Sequence, residues 1–289
     1  MLNETPLSSI PLDDSGGAVG AAPWNPVVPE GWTPASWAGS VGEVEGVRFL
    51  EGALIESYDP VLGLGAVVPE LWYRVGLDGE DLEAGWARGL DTVYVEKLGA
   101  LLREPKAREI RRLMLCDWGG DGLDEATFAD SEALRVLSRG ARALAALEEL
   151  YIGEEPHQTE GPQAFVGHVG AALRAFPRLR RLEVRAAWMA WGSVSHTGLR
   201  SLRLEVADSP EELLDALNAS FLPGLRSLEV WLGGDSGGEE VEAEQLAPLL
   251  TGKLFPALET LRLWGHSGEL RGQVEASPLA SRLTSLALA

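Results

Sequence analysis

A six-residue pattern of apolar and polar positions recurs along the second part of the chain. Each copy has apolar residues at its first, fourth and sixth positions, and the positions between them are mostly polar. The approaches to several copies are alike: FPRLRRLEV, LPGLRSLEV and FPALETLRL. Such recurrence indicates an internal repeat, which is typical of stacked repeat folds. The seven copies have the apolar residues Ile110-Leu113-Leu115, Leu147-Leu150-Ile152, Leu179-Leu182-Val184, Leu199-Leu202-Leu204, Leu225-Leu228-Val230, Leu258-Leu261-Leu263 and Leu283-Leu286-Leu288.

The last two apolar positions of each copy predict a strand, because residues two apart in a strand point to the same face. We expect the seven strands to stack in parallel about 4.8 Å apart, since no single repeat can bury its apolar side alone. The residues between the apolar ones then form a second face, expected to be concave, which we call the floor. The floor consists of Arg112, Met114, Cys116, Glu149, Tyr151, Gly153, Arg181, Glu183, Arg185, Ser201, Arg203, Glu205, Ser227, Glu229, Trp231, Thr260, Arg262, Trp264, Ser285, Ala287 and Ala289.

We call each copy of the six-residue pattern a phrase. The segments between the phrases must connect one parallel strand to the next across the apolar side of the sheet, and most of their sequences predict helices. Residues 209 to 217 (SPEELLDAL) combine a capping hydroxyl, a first-turn proline and two acids near the positive end of a helix. Residues 131 to 147, 162 to 176 and 241 to 250 are further expected helices.

The spacing of the phrases is irregular. The central leucines are 37, 32, 20, 26, 33 and 25 residues apart. The 20-residue step from Leu182 to Leu202 is too short for a full helix. We therefore expect Trp188, Met189 and Trp191 to fill that gap by packing.

Residues 46 to 106 predict an N-terminal α+β cap. A hairpin pattern surrounds Glu51-Gly52, residues 71 to 75 alternate as in a strand, and residues 80 to 103 have helical spacing with a break near Gly89. Because both ends of a repeat stack expose core, we assign this cap to the front of the array.

The array itself is expected to span residues 107 to 289, and residues 1 to 45 to form a Pro- and Gly-rich tail. The tail contains Trp24, Trp32 and Trp37. These side chains are expected to dock either on the folded body or on a partner.

Through the L-x-x-L-x-L core of residues 107 to 289, the chain resembles the leucine-rich-repeat superfamily. More narrowly, it is similar to uncharacterised standalone bacterial leucine-rich-repeat proteins with an N-terminal extension. The resemblance implies an α/β fold: an irregular solenoid with a parallel sheet on its concave side and helices and loops on its convex side. The chain departs from the family in lacking the Asn or Cys that usually follows each core phrase. Those positions hold Trp118, Glu155, Ala187, Ala207, Gly233 and His266.

Charge and cysteine content narrow the classes of partner. Lys and Arg total 24 against 44 Asp and Glu, a formal net charge of −20. Such acidity repels phosphate backbones and anionic membranes, so we expect neither a nucleic acid nor a membrane partner.

The N-terminal residues MLNETPLSSIPLDDSGG lack the basic and apolar parts of a secretory signal. The single cysteine, Cys116, excludes an intramolecular disulfide, so we expect a cytoplasmic location.

Binding chemistry on the floor is indicated by its residue types. It has five Arg against four Glu and no Lys, and Tyr, Trp and Arg are the residues enriched at binding hot spots. The alternative is structural, with Arg and Glu forming cross-strand ion pairs and Trp231 and Trp264 packing on each other. The candidate binding site consists of Met114, Tyr151, Arg181, Arg185, Arg203, Glu229, Trp231, Arg262 and Trp264.

Catalytic and metal chemistry find weak support in the sequence. Cys116 beside Asp117 could act as a thiol nucleophile, but no histidine lies near it in the sequence. Asp117 and Asp121 match part of a calcium loop, yet Phe128 stands where the bidentate Glu belongs. We therefore expect no catalytic residue, no metal and no cofactor.

The function expected from these features is that of a non-catalytic module that binds a protein segment on the concave face. One alternative is an acidic inhibitor, antidote or regulatory subunit for a basic partner enzyme, with charge speeding the encounter. A less favoured alternative is a Cys-dependent enzyme around Cys116. Another is association with a second chain through the last strand, which no polar cap follows in the sequence.

Overall fold

The computed structural model describes residues 42–44, 47–50, 53–77, 81, 83, 88–116, 132–154, 164–207, 210–232, 241, 243–264 and 268–288. The predicted tail, with Trp24, Trp32 and Trp37, lies almost wholly outside these residues. Asp117, Asp121 and Phe128 of the partial calcium motif also lie outside them.

Thirteen strands and six α-helices are present in the described part of the chain. The strands are β1 Gly42–Val44, β2 Val47–Leu50, β3 Ala53–Ser57, β4 Trp72–Val75, β5 Arg112–Cys116, β6 Glu149–Gly153, β7 Phe165–His168, β8 Arg181–Ala186, β9 Trp188–Ala190, β10 Ser201–Val206, β11 Ser227–Trp231, β12 Thr260–Trp264 and β13 Ser285–Leu288. The helices are α1 Leu90–Arg103, α2 Glu132–Arg139, α3 Val169–Ala175, α4 Pro210–Asn218, α5 Ala243–Leu250 and α6 Gly268–Glu275.

Eleven of the strands form one open sheet in the order β1-β2-β3-β4-β5-β6-β8-β10-β11-β12-β13. The first three pair antiparallel, and the nine from β3 to β13 are parallel. β7 and β9 form a separate parallel pair. The expected α/β class is therefore confirmed, with a large parallel sheet.

The seven phrases supply seven consecutive strands of this sheet, as their spacing predicts. Their central leucines lie directly opposite one another in the pairing register, so the expected parallel ladder is confirmed. The aligned residues are Leu113, Leu150, Leu182, Leu202, Leu228, Leu261 and Leu286.

One continuous apolar core lies between this leucine face and the helices. Helical leucines such as Leu137, Leu173 and Leu214 are buried in it. At the described C-terminal edge the burial is weaker, because β13 pairs only with β12. Leu286 and Leu288 are accordingly only partly buried.

The segments between the strands follow the sequence with two adjustments. Helices α4 and α5 match the predicted ones, but α2 ends at Arg139 and a 3₁₀ turn follows at Ala141–Leu144. Gly140 marks the change, and a Cβ there would overlap the side chain of Leu102. Helix α3 begins only at Val169, since residues 165 to 168 pair as β7.

The short step between β8 and β10 contains no helix, as expected. Met189 and Trp191 are buried there, and Trp191 Nε1 donates a hydrogen bond to Ser220 Oγ at 3.0 Å. The gap is thus filled by packing side chains.

The N-terminal elements extend the same sheet. The predicted hairpin is formed by β2 and β3, with Leu50 opposite Ala53, and β4 pairs in parallel with β5. The predicted boundary between cap and array, at residue 106, falls between β4 and β5, which are neighbours in the same sheet. The division into a cap and an array therefore stays a prediction. None of the helices in the described ranges has the length and apolar character that a bilayer crossing requires.

Candidate functional site

The strand register arranges the floor in three rows that cross the sheet. All nine predicted site residues lie on this face, on neighbouring strands. The first row is Arg112, Glu149, Arg181, Ser201, Ser227, Thr260 and Ser285. The middle row is Met114, Tyr151, Glu183, Arg203, Glu229, Arg262 and Ala287. The last row is Cys116, Gly153, Arg185, Glu205 and, farther along, Trp231 and Trp264.

The N-terminal part of the floor is a second apolar cluster. It is formed by Ile55, Trp72, Met114, Cys116 and Tyr151, whose exposed fractions lie between 0% and 3%. Two predicted site residues, Met114 and Tyr151, thus lie inside this cluster. Contact with a partner would require them to be uncovered first.

The phenol of Tyr151 is hydrogen-bonded to the backbone just after its own strand, β6. Its hydroxyl donates a hydrogen bond to the carbonyl oxygen of Glu154, and the Glu154 amide donates to the carbonyl oxygen of Arg185 at 3.0 Å. Burial raises the pKa of Tyr151 well above its usual value, although the nearby Arg185 acts in the opposite direction. Tyr151 therefore stays neutral and anchors the end of β6.

Across the centre of the floor, arginines and glutamates alternate in ion pairs. Arg112 Nε lies 3.1 Å from Glu149 Oε1, and Arg181 also pairs with Glu149 and with Glu183. The carboxylate of Glu183 is almost fully buried, so the adjacent guanidinium compensates its lost hydration. The structural interpretation of these charges has direct support here.

The same alternation continues toward the C-terminal strands. Arg185 Nε lies 3.0 Å from Glu205 Oε1, and Arg203 lies 3.8 Å from the other oxygen of that carboxylate. Arg185 is buried, with 8% of its surface exposed. Arg181, Arg185 and Arg203 of the predicted site are thus already paired with carboxylates of the floor, and Arg262 is paired with Glu229.

The charged group nearest the two tryptophans is centred on Glu229. Its Oε1 lies 3.5 Å from Arg203 Nε and its Oε2 lies 3.6 Å from an Nη atom of Arg262. Arg203 and Arg262 remain 23% and 27% exposed at their side chains, against 13% for Glu229. Two partly exposed guanidinium groups therefore flank Glu229, and Arg203 also lies 3.8 Å from Glu205 Oε2.

The two tryptophans lie next to this carboxylate. The rings of Trp231 and Trp264 are stacked, with centroids 5.7 Å apart and an angle of 20° between their planes. Both side chains are half-buried. We call Arg203, Glu229, Arg262, Trp231 and Trp264 the tryptophan shelf. A shelf of this kind can stack against an apolar or aromatic group while its guanidinium groups donate hydrogen bonds to a carboxylate or a carbonyl oxygen.

A row of hydroxyl groups borders the tryptophan shelf on its other side. Ser201, Ser227 and Thr260 are half-buried and lie opposite one another on β10, β11 and β12. Sequence reasoning placed them on the floor but not in the site. Their alignment in three successive phrases was the signal available.

The sequence predicted strands at β3 and β4 but assigned them to a cap, and did not predict that they extend the floor beyond the seven phrases. Trp72 lies opposite Arg112, and the buried Arg74 lies opposite Met114. The alternating residues 71 to 75 had indicated a strand, but they lack the leucine phrase that would have placed it in the ladder.

The described residues do not place a base beside the thiol of Cys116. Cys116 is fully buried among apolar and phenolic side chains, and Asp117 lies outside the described ranges. His196 is bonded elsewhere, with Nε2 lying 3.0 Å from the carbonyl oxygen of Phe176 and Nδ1 2.9 Å from the amide of Leu199. Within the described part of the chain, no three His, Cys, Asp or Glu side chains are grouped so that they could hold a metal ion.

Comparison with known proteins supports the fold alone. The chain matches no protein-family model and no curated protein. It is similar to the crystal structure of a protein from Bacteroides fragilis, with a TM-score of 0.58 and 19% sequence identity. The likeness covers 73% of this chain and 57% of that protein, so the chain spans little more than half of its length.

Proposed function

We propose that the chain is a leucine-rich-repeat solenoid that acts as a non-catalytic protein–protein interaction module. The partner segment would lie on the floor across β10, β11 and β12. The observation that carries the proposal is the tryptophan shelf, in which stacked, half-buried rings adjoin two partly exposed arginines. Tryptophan and arginine are the side chains that most often dominate binding energy at protein interfaces.

Preorganisation of the shelf supports this function. Glu229 holds Arg203 and Arg262 from two sides, and it also accepts a hydrogen bond from Trp264 Nε1 at 3.0 Å. Side chains that are already fixed lose less conformational entropy when a partner binds. The shelf therefore fits a segment that offers an apolar or aromatic side chain next to a carboxylate or backbone carbonyl.

The buried N-terminal part of the floor limits the interface to the C-terminal strands. Met114 and Tyr151 are covered, whereas the shelf and its hydroxyl row are partly exposed. Of the nine predicted site residues, Arg185 is buried as well, whereas the side chain of Arg181 is 27% exposed but lies outside the shelf. We expect direct contact through the shelf residues Arg203, Glu229, Trp231, Arg262 and Trp264.

The test begins with capture of a partner from native lysate, followed by calorimetric titration of that purified partner. The variant W231A/W264A removes both rings of the shelf. Its matched control is V61A/L62A, which removes exposed apolar side chains from the loop between β3 and β4, and three strands separate β4 from β10 in the sheet. Circular dichroism and thermal unfolding establish that both variants remain folded.

We expect W231A/W264A to weaken binding about 30-fold or more, because hot-spot aromatic residues each contribute about 1–2 kcal/mol. The control should bind as the parent chain does. Unchanged affinity in folded W231A/W264A would refute the floor as the site. An association rate that depends strongly on salt, with no effect of W231A/W264A, would instead favour an acidic inhibitor of a basic enzyme.

A further inference from the structure

A row of arginines runs along the edge at which the parallel strands begin. The residue directly before the strand is Arg111 for β5, Glu148 for β6, Arg180 for β8, Arg200 for β10, Arg226 for β11, Glu259 for β12 and Thr284 for β13. We call the first five of these residues the arginine edge. Four of them are arginines, in a chain whose formal net charge is −20.

Backbone hydrogen bonds make these residues direct neighbours. The amide of Glu148 donates to the carbonyl oxygen of Arg111 at 2.8 Å, and that of Arg180 to Glu148 at 2.7 Å. The amides of Arg200 and Arg226 continue the series, each donating to the preceding arginine at 2.8 Å. All four arginines are exposed, so the fold concentrates on one edge a charge that the sequence spreads over more than a hundred residues.

Part of the arginine edge is already engaged in the fold. Arg200 donates to the carbonyl oxygens of Thr197 at 2.9 Å and Gly224 at 3.2 Å, which ties two successive turns together. Arg226 pairs with Glu259 at 2.8 Å, and both of these side chains are largely exposed. These contacts hold the C-terminal half of the edge in place.

Arg111 and Arg180 differ from the other two. Neither side chain makes an ion pair or hydrogen bond with any residue in the described ranges, and both are exposed. They lie two strand steps apart, which is about 10 Å. The half-buried Glu148 lies between them, and a second negative charge, Glu259, follows Arg226 in the row.

We infer that the arginine edge binds an acidic segment of a partner protein, with carboxylates contacting Arg111 and Arg180. Guanidinium groups bind carboxylates through paired, charge-assisted hydrogen bonds. A short acidic segment meets only this local positive row. A nucleic acid is longer than this row and would also contact the rest of the protein surface. The net negative charge of the protein would repel its phosphates there.

The experiment measures the fluorescence anisotropy of a labelled peptide of alternating Glu and Ser, titrated with the intact chain in low-salt buffer. The comparison probes are the Lys-Ser peptide and a single-stranded oligothymidylate of matched charge. The test variant is R111E/R180E, with R111Q/R180Q as a milder form. The control is R88E/R135E, which makes the same charge change at two exposed arginines that pair with Glu96 and Glu132.

We expect the acidic peptide to bind, and R111E/R180E to weaken it about tenfold or more, equivalent to about 1.4 kcal/mol. Binding should also weaken as salt is raised. R88E/R135E should have a much smaller effect, and W231A/W264A none, which separates this edge from the proposed binding function of the floor.

Three results would overturn the inference. They are absence of binding by the acidic peptide, equal loss in the two charge-reversed variants, and equal or tighter binding of the oligothymidylate. Arg111 and Arg180 are exposed, so the variants should fold, and R111Q/R180Q supplies the measurement if charge reversal lowers stability.

Discussion

Trp264 Nε1 donates a hydrogen bond to Glu229 Oε1 at 3.0 Å, across the pair of strands β11 and β12. The two residues are diagonal neighbours, because Glu229 lies directly opposite Arg262 and Trp264 lies opposite Trp231. Diagonal neighbours in a sheet are within reach of long and aromatic side chains. One carboxylate thereby orients a tryptophan and two arginines at once.

Replacing Glu229 by Ala should therefore destabilise the chain. The change leaves the indole donor of Trp264 and two partly buried guanidinium groups without this acceptor, and we expect the free energy of unfolding to fall by about 1–3 kcal/mol. Urea unfolding followed by circular dichroism measures it. The matched control is Glu96→Ala, which breaks the exposed Arg88–Glu96 pair and should cost at most about 1 kcal/mol. Equal effects of the two changes would contradict the organising role of Glu229.

Gly153, at the end of β6, should not tolerate a side chain. Its φ is +121°, and a Cβ there would overlap the carbonyl oxygen of Arg185 on the neighbouring strand. We expect Gly153→Ala to lower the free energy of unfolding by about 3 kcal/mol or more. Gly192→Ala is the control, since φ is +66° there but nothing lies within 4 Å of the added Cβ. It should cost only the backbone strain of about 1–2 kcal/mol. Similar thermal unfolding of the two variants would refute the close approach at Gly153.

His196 should be a structural residue. It is buried, and both ring nitrogens are bonded, Nδ1 to the amide of Leu199 and Nε2 to the carbonyl oxygen of Phe176. Because the Leu199 amide is a donor, Nδ1 must accept and Nε2 carries the proton. His196→Ala removes both bonds, and we expect a loss of about 1–3 kcal/mol in unfolding free energy. The exposed His168 provides the comparison, and His168→Ala should unfold like the parent chain. A His196→Ala chain of unchanged stability would show that these bonds contribute nothing net.

Tyrosine ionisation should destabilise the chain above pH 10. Burial, together with the neighbouring Glu104, raises the pKa of Tyr58 from 10.0 to about 12, and burial also raises the pKa of Tyr73 and of Tyr151. As pH rises through 10.0, the phenols of the unfolded chain lose protons while those of the folded chain keep them. The unfolded state then binds fewer protons, so the free energy of unfolding falls as pH rises toward 12.

Absorbance of the phenolate band follows this titration directly. The native chain should titrate at higher pH than the chain in denaturant, and Tyr58→Phe should reduce the decline of stability between pH 10 and 12. A native titration curve that coincides with the unfolded one would refute the prediction.

The order and register of the strands could be predicted from sequence because they follow from local patterns. Each phrase places two apolar residues two positions apart, which commits them to one face of a strand. Repetition then requires each strand to pair with its neighbour in the same register, since a shift of one residue would expose the leucines. Leu113, Leu150 and Leu182 are accordingly aligned.

Which floor residues are buried could not be predicted from the sequence in the same way. The pattern that put Met114 and Tyr151 on the floor also put Trp231 and Trp264 there, yet the first two are buried and the last two are half-buried. Burial of a floor residue depends on what lies over it, which is not encoded in the spacing of its own strand. The pairing of Arg185 with Glu205, by contrast, agrees with the cross-strand ion pairs that the sequence pattern offered as the structural alternative.

The sequence by itself therefore determined which residues form the ladder and which face each of them joins, because the alternation of a strand is a property of its own backbone. Only the tertiary structure decided which part of the floor is open and where the charges gather. Arg111, Arg180, Arg200 and Arg226 are far apart in the chain and become neighbours through parallel pairing alone. Charge and exposure are set by residues brought together from different repeats, and those contacts exist only once the sheet has formed.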